Sequence, residues 1–194
     1  MSIEKLRFKP WIGNYYEENE NGKILLVGES HYLDGEDITT QDFTTAVINE
    51  YLSDGNMQTP FFKRIGQIFD RNDFKAIWAK VAFANLIQSG LSNSSSQPTK
   101  DDIATINPAF EILLNDLRPN KVIVLSKRLW NFWLTEENAQ FIGKIKANGK
   151  SATVWEYIRD GHSTIAMGIW HPSRMFGNSC YDWTPLVEKF LKTY

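Results

Sequence analysis

The stretch Ile24-Leu25-Leu26-Val27-Gly28-Glu29-Ser30-His31-Tyr32 decides how the rest of the chain is read. Its four leading apolar residues show no polar alternation, the pattern of a strand buried on both faces. The run stops at a glycine, where backbone can approach a ligand, and then turns polar. Two similar runs follow, at 81–86 (Val81-Ala82-Phe83-Ala84-Asn85-Leu86) and at 122–125 (Val122-Ile123-Val124-Leu125). Residues 153–157 and 164–170 read as strands joined by Asp160-Gly161, a hairpin signal.

Helical patterns lie between these runs. Thr40 caps a helix over about 41–53, with Phe43, Val47, Ile48 and Tyr51 on one face. Gly55 and Pro60 bracket a turn, and Pro60 starts a second helix whose apolar face is Phe61, Ile65, Ile68 and Phe69. A third covers about 105–117 and ends before Pro119, a fourth is capped by Ser126, and a fifth covers about 136–147 until Gly149 breaks it. A closing helix covers about 184–193, while 32–40 and 88–101 read as loops. This order predicts a three-layer α/β/α sandwich with a central, mostly parallel four-stranded sheet and one antiparallel extra strand, in a single domain over 1–194 without internal repeats.

Composition narrows the function classes. The chain has 194 residues, 42% hydrophobic and 23% charged, which is the globular range. The formal net charge of −2 argues against a dedicated duplex-tracking protein, which would be basic. Aromatics reach 13%, including seven Trp, enough to serve a binding surface as well as a core. The single cysteine, Cys180, excludes an internal disulfide or a four-cysteine metal site and predicts a reducing compartment. The opening MSIEKLRFKPW has no apolar core of a signal peptide, and no apolar run has membrane-spanning length. A cytoplasmic location is expected.

In open α/β sheets ligands bind beyond the carboxyl ends of the strands. Three such ends carry chemistry: Gly28 to Tyr32, Asn85 to Gln88, and His171-Pro172-Ser173-Arg174, where Pro172 fixes the turn that presents its neighbours. There is no HExxH zinc motif, no GxSxG nucleophile elbow, and no phosphate- or dinucleotide-binding glycine loop. Glu29, His31 and His171 are a conceivable metal set, and Glu29 with His31 a conceivable hydrolase pair.

A strand ending in Gly-Glu-x, an Asn closing the next strand, a helix followed by RPNKVIVLS, and a last strand ending in His-Pro-Ser together resemble the uracil-DNA glycosylase superfamily over about residues 20–190. The resemblance implies DNA as partner, no metal or organic cofactor, and hydrolysis of the bond between a flipped base and its sugar. It implies that Gly28, Glu29 and Tyr32 shape the base pocket and that Asn85 reads the base edge. His171 would stabilise negative charge on the departing base, and Ser173 would contact phosphate, with Arg174 able to join it. Ser30 stands where some members carry the water-orienting Asp, and His31 where Pro is usual. Ser30 cannot act as a carboxylate, so Glu29, the nearest motif carboxylate, is the catalytic candidate for orienting the attacking water, with Asp34, Glu36 or Asp37 able to swing in from the loop; the missing Asp also opens the alternative of a catalytically inactive nucleic-acid or nucleotide binding module.

Structural roles stand beside these. Asn85 equally suits backbone bonding at a strand end, Glu29 a cap or a pair with Arg174, and Tyr32 packing. His31 suits an exposed loop, His162 a solvated turn, and Phe61, Phe62, Trp130 and Trp133 the core.

Overall fold

The computed structural model describes residues 2–33, 40–53, 60–134, 139–175 and 177–194. One seven-stranded mixed sheet runs through the molecule. Its strands are β1 (Trp11–Ile12), β2 (Ile24–Tyr32), β3 (Val81–Leu91), β4 (Lys121–Val124), β5 (Ala139–Ala147), β6 (Lys150–Arg159) and β7 (His162–Gly168). The spatial order is β1-β3-β2-β4-β7-β6-β5. The middle four, β3, β2, β4 and β7, are parallel, whereas β1 at one margin and β6 and β5 at the other are antiparallel. The expectation of four parallel strands with one antiparallel addition is therefore corrected: the four parallel strands are flanked by three that join through antiparallel pairing.

The helices are α1 (Phe43–Ser53), α2 (Pro60–Phe69), α3 (Lys100–Ala104), α4 (Ile106–Leu117) and α5 (Thr184–Thr193). They cover both faces of the sheet, which is why β2 and β4 need no polar alternation. Ile24 and Leu26 of β2 join a core with Ile48 of α1, Ile65 of α2 and Phe190 of α5. Leu25 and Val27 point the other way, into a core with Phe110, Leu113 and Leu114 of α4.

The helix expected over 136–147 is instead strand β5, described from residue 139 onward. Asn148-Gly149, both at positive φ (46° and 70°), turns it into β6. The same geometry recurs at Asp160-Gly161 (47° and 72°), the hairpin expected between β6 and β7. The segment after Ser126 forms a π-helical turn, Leu129–Trp133, and not a regular helix. The loop expected over 88–101 is shortened from both sides, by β3 running to Leu91 and by the capping box of Thr99 and Asp102 that starts α3. The expected loop residues Asp34, Gly35, Glu36 and Asp37, and the turn residue Gly55, lie outside the described residues. Among the described residues no helix is long and apolar enough to cross a membrane.

Two glycines hold the parallel centre close to its neighbours. A Cβ on Gly28 would lie 2.3 Å from the Asn85 side-chain oxygen. A Cβ on Gly168 would lie 2.3 Å from the Trp130 indole, which is itself anchored by its N–H donating to Thr153 at 2.8 Å. Gly168→Ala is expected to cost about 1–3 kcal/mol through overpacking, read as a lower urea midpoint with an unchanged m-value. An unchanged midpoint would mean that the indole yields freely.

Candidate functional site

A cleft of about 400 Å³ opens where the parallel strands stop. Its walls include Glu29 and Tyr32 in the C-terminal half of β2, Leu91 at the end of β3, Ser126, Lys127 and Arg128 after β4, and Trp170, His171, Ser173 and Arg174 after β7. Ser94, Ser96 and Gln97 close the side nearest the serine-rich loop.

Local structure explains how each group is presented. The β2–β3 register shifts between Ser30 and Tyr32: Ser30 pairs with Ile87, but Tyr32 with Leu91. This bulge turns Tyr32 and Leu91 toward the cleft, a recurrent use of bulges beside binding sites. After β4, the Leu125 N–H extends the ladder to the Val27 carbonyl at 2.8 Å. Ser126 then accepts the Leu129 N–H at 3.2 Å, so the next turn begins under Lys127 and Arg128.

Glu29 is the electrostatic centre of the floor. Arg128 donates to it twice, from Nη2 at 2.5 Å and Nε at 3.3 Å, and the Ser126 hydroxyl donates as well. Burial opposes ionisation of Glu29, but the bonds from Arg128 and Ser126 outweigh it and hold the carboxyl below its ordinary range. Arg128 also donates to Gln97 at 3.0 Å and lies 4.5 Å from the Trp133 ring centre. One guanidinium thus ties the β2 end to the serine-rich loop. Glu29 caps no helix and makes no pair with Arg174; its partner is Arg128.

His171 opens a short 3-10 turn, Pro172–Arg174. Its Nδ1 accepts the Ser173 N–H at 3.2 Å, which leaves the ring proton on Nε2 when the imidazole is neutral. Burial lowers its pKa; Glu29 opposes this, and Arg174 and Arg128 add to it. The ring therefore stands neutral near pH 7, with a donor at Nε2. Arg64 of α2 fastens the turn by donating to the carbonyls of Pro172 at 3.2 Å and Ser173 at 2.9 Å. Phe61, one turn earlier on α2, lies against His171 with ring centres 5.1 Å apart.

Of the residues expected at a site, Glu29, Tyr32, His171, Ser173 and Arg174 meet in the cleft. Gly28, Ser30, His31 and Asn85 are not part of its walls. Gly28 and Asn85 are register partners on neighbouring strands, and Asn85 is only 5% exposed. Its amide has no hydrogen-bond partner among the described residues, and the buried Ser30 hydroxyl likewise has none. Contacts lead from Asn85 toward His171: Asn85 and Phe83 both lie against Gly28, Phe83 touches Phe61, and Phe61 touches His171.

His31 is not an exposed loop residue. It is buried against Phe8 and Phe43 and hydrogen-bonds the Thr44 hydroxyl at 2.9 Å. The set Glu29, His31 and His171 is therefore not assembled, and among the described residues no group of three or more His, Cys, Asp or Glu is placed to hold a metal. His162 is not merely solvated either, since its Nε2 lies 2.9 Å from the Pro119 carbonyl.

Arg128, Phe61 and Arg64 were not singled out from the sequence as site residues. The one available signal was Arg128, two residues beyond Ser126, the cap that follows a strand end. Phe61 and Arg64 sit at ordinary helical positions, and only packing brings them to the turn at His171. No protein-family model matches the chain, and no curated protein matches it.

Burial holds His31 neutral by lowering its pKa from 6.5 to about 4. Between those values the unfolded chain binds a proton that the folded chain does not, so stability falls as pH falls. From pH 7 to pH 5 this one group is expected to remove about 2 kcal/mol. Urea unfolding at the two pH values measures the loss, and His31→Gln should flatten the difference. A His31→Gln slope equal to that of the parent would assign the effect elsewhere.

Proposed function

We propose that the chain is a uracil-DNA glycosylase-like protein that hydrolyses the N-glycosidic bond of a flipped uracil or related base in DNA. The observation that carries the reading is the meeting of Glu29, Tyr32, His171, Ser173 and Arg174 in one cleft at the carboxyl end of the parallel strands, with a neutral imidazole among them. The reading also assigns the base edge to Asn85, whose amide supplies both a donor and an acceptor, and this requires the base to reach past the cleft walls, which Asn85 does not line. The four parallel strands with helices on both faces would be the core of the superfamily's sandwich, extended here by β1, β5 and β6. The buried Cys180 thiol fits a reducing, cytoplasmic setting.

The residues would divide the work as follows. The bond between C1′ of the sugar and the base nitrogen breaks, and its electron pair goes to the base. Nε2–H of His171 donates to the base oxygen where that charge gathers. Water adds to C1′, and the proton it loses goes to the base. Ser173 and Arg174 face the cleft where a flanking phosphate would lie. Glu29, held by Arg128 and Ser126, orders the floor and does not act as a free base.

That engagement of Glu29, with a hydroxyl at Ser30 in place of a carboxylate, favours a second reading: a binding module of the same fold without base release. Incubation with uracil-containing single- and double-stranded oligonucleotides, then alkali, separates the two. Glycosylase chemistry predicts strand breaks whose rate falls about 10²–10³-fold in His171→Ala, the usual loss for one donor to a developing anion. Binding without breaks would establish the module. Neither binding nor breaks at low salt would reject both.

A further inference from the structure

The cleft joins three features that bear on the form of nucleic acid it accepts. Tyr32 and Trp170 both line it, and both are largely open to solvent at 41% and 55% exposure. Trp170 lies beside buried Trp183, with ring centres 6.4 Å apart and planes tilted by 41°. The charge of the cleft differs from that of the whole chain. Among the described residues that line it, Lys127, Arg128 and Arg174 stand against one carboxylate, that of Glu29, in a protein with a formal net charge of −2.

The cations are not equivalent. Arg128 is committed to Glu29 and Gln97. Lys127 makes one long contact, 3.4 Å to the Ser151 carbonyl, and burial lowers its pKa. Arg174 is exposed, and among the described residues its guanidinium has no hydrogen-bond or ion-pair partner. Two cations are thus available for phosphates. That is far short of the 6–10 phosphate contacts with which a duplex binder tracks a backbone. Exposed aromatic faces have little to offer a duplex, whose bases are already stacked on one another, whereas unpaired bases can stack on them.

We propose that Tyr32 and Trp170 are stacking platforms for unpaired bases beside the reaction pocket, and that the cleft selects single-stranded DNA over duplex. The inference rests on the nucleic-acid reading of the same cleft and adds the strand state of its substrate. Arg174 and Lys127 meet the phosphates on either side of the stacked bases.

The test is a binding titration with three probes of equal length: single-stranded oligothymidylate, a hairpin duplex, and an abasic single strand. All lack uracil, so binding is read apart from base release. Oligothymidylate should bind at least tenfold more tightly than either other probe and quench tryptophan fluorescence. Trp170→Ala should weaken oligothymidylate about fivefold or more, while Trp170→Phe retains most of the affinity. Because Trp170 is exposed, the alanine variant should keep the parent urea midpoint, and Tyr32→Ala offers a second, independent loss. With two phosphates neutralised, the logarithm of the association constant should fall against that of salt with a slope of about −1.4, and Arg174→Ala should reduce that slope by about 0.7.

Equal affinity for the strand and the hairpin, undiminished binding of the abasic probe, or parent affinity in both aromatic variants would each overturn the proposal, as would no binding of any probe at low salt. Uracil release from duplex as fast as from a single strand would refute the strand preference and leave glycosylase chemistry standing. Tight oligothymidylate binding without any uracil release would do the reverse.

Discussion

The constraint on which the site depends is the parallel register of the central strands. Val27 pairs with Val124 and with Ala84, and Val124 pairs with Gly168. These four residues form one row across the sheet, so Gly28, Asn85, Leu125 and Ile169, which follow it, start from one line. The ladder even continues one step past the row, through Leu125 to Val27 and Ile169 to Val124. Groups more than 140 residues apart in the chain, such as Glu29 and His171, therefore reach one cleft without any loop crossing the molecule. A parallel sheet covered on both faces makes this arrangement a consequence of pairing and not of loop design.

On that row the protein places large side chains against missing ones. Asn85 occupies the space a side chain at Gly28 would take, and Trp130 the space at Gly168. Neither glycine has positive φ, so closeness, not a special torsion, is what requires them. The floor of the cleft is then tied by Arg128, which couples β2 to the loop before α3. The ceiling is tied by Arg64, which couples α2 to the turn at His171. Two arginines from different elements thus position the two sides of the same opening.

Much of this was legible in the sequence, for a physical reason. The apolar runs 24–27, 81–86 and 122–125 are continuous because both faces are covered, but β2 and β3 run on to Tyr32 and Leu91, and of the polar residues in those two extensions only Glu29 and Tyr32 reach the cleft. Asp160-Gly161 was legible because both residues must accept positive φ. Asn148-Gly149 does the same job, yet the helix formers Ala139, Gln140, Lys144, Lys146 and Ala147 before it mask the alternation of β5. Pairing with β6, a non-local interaction, decides that segment. β1 has two residues and exists only because it pairs with β3. In the same way Glu29 was legible as a strand-end carboxylate, but its partner was not, since Arg128 lies 99 positions away. His31 shows the opposite failure: a polar motif residue at a strand end that turns into an aromatic core.

The bond from the Ser173 N–H to Nδ1 of His171 has a chemical consequence of its own. It occupies the only lone pair that a neutral imidazole in this tautomer possesses. Near neutral pH the residue can therefore give a hydrogen bond to an incoming molecule but has no site left to take a proton from one. Any reaction in the cleft that must begin by deprotonating its nucleophile would need a different residue, whereas one in which the leaving group departs before water is captured is compatible with His171 as it stands.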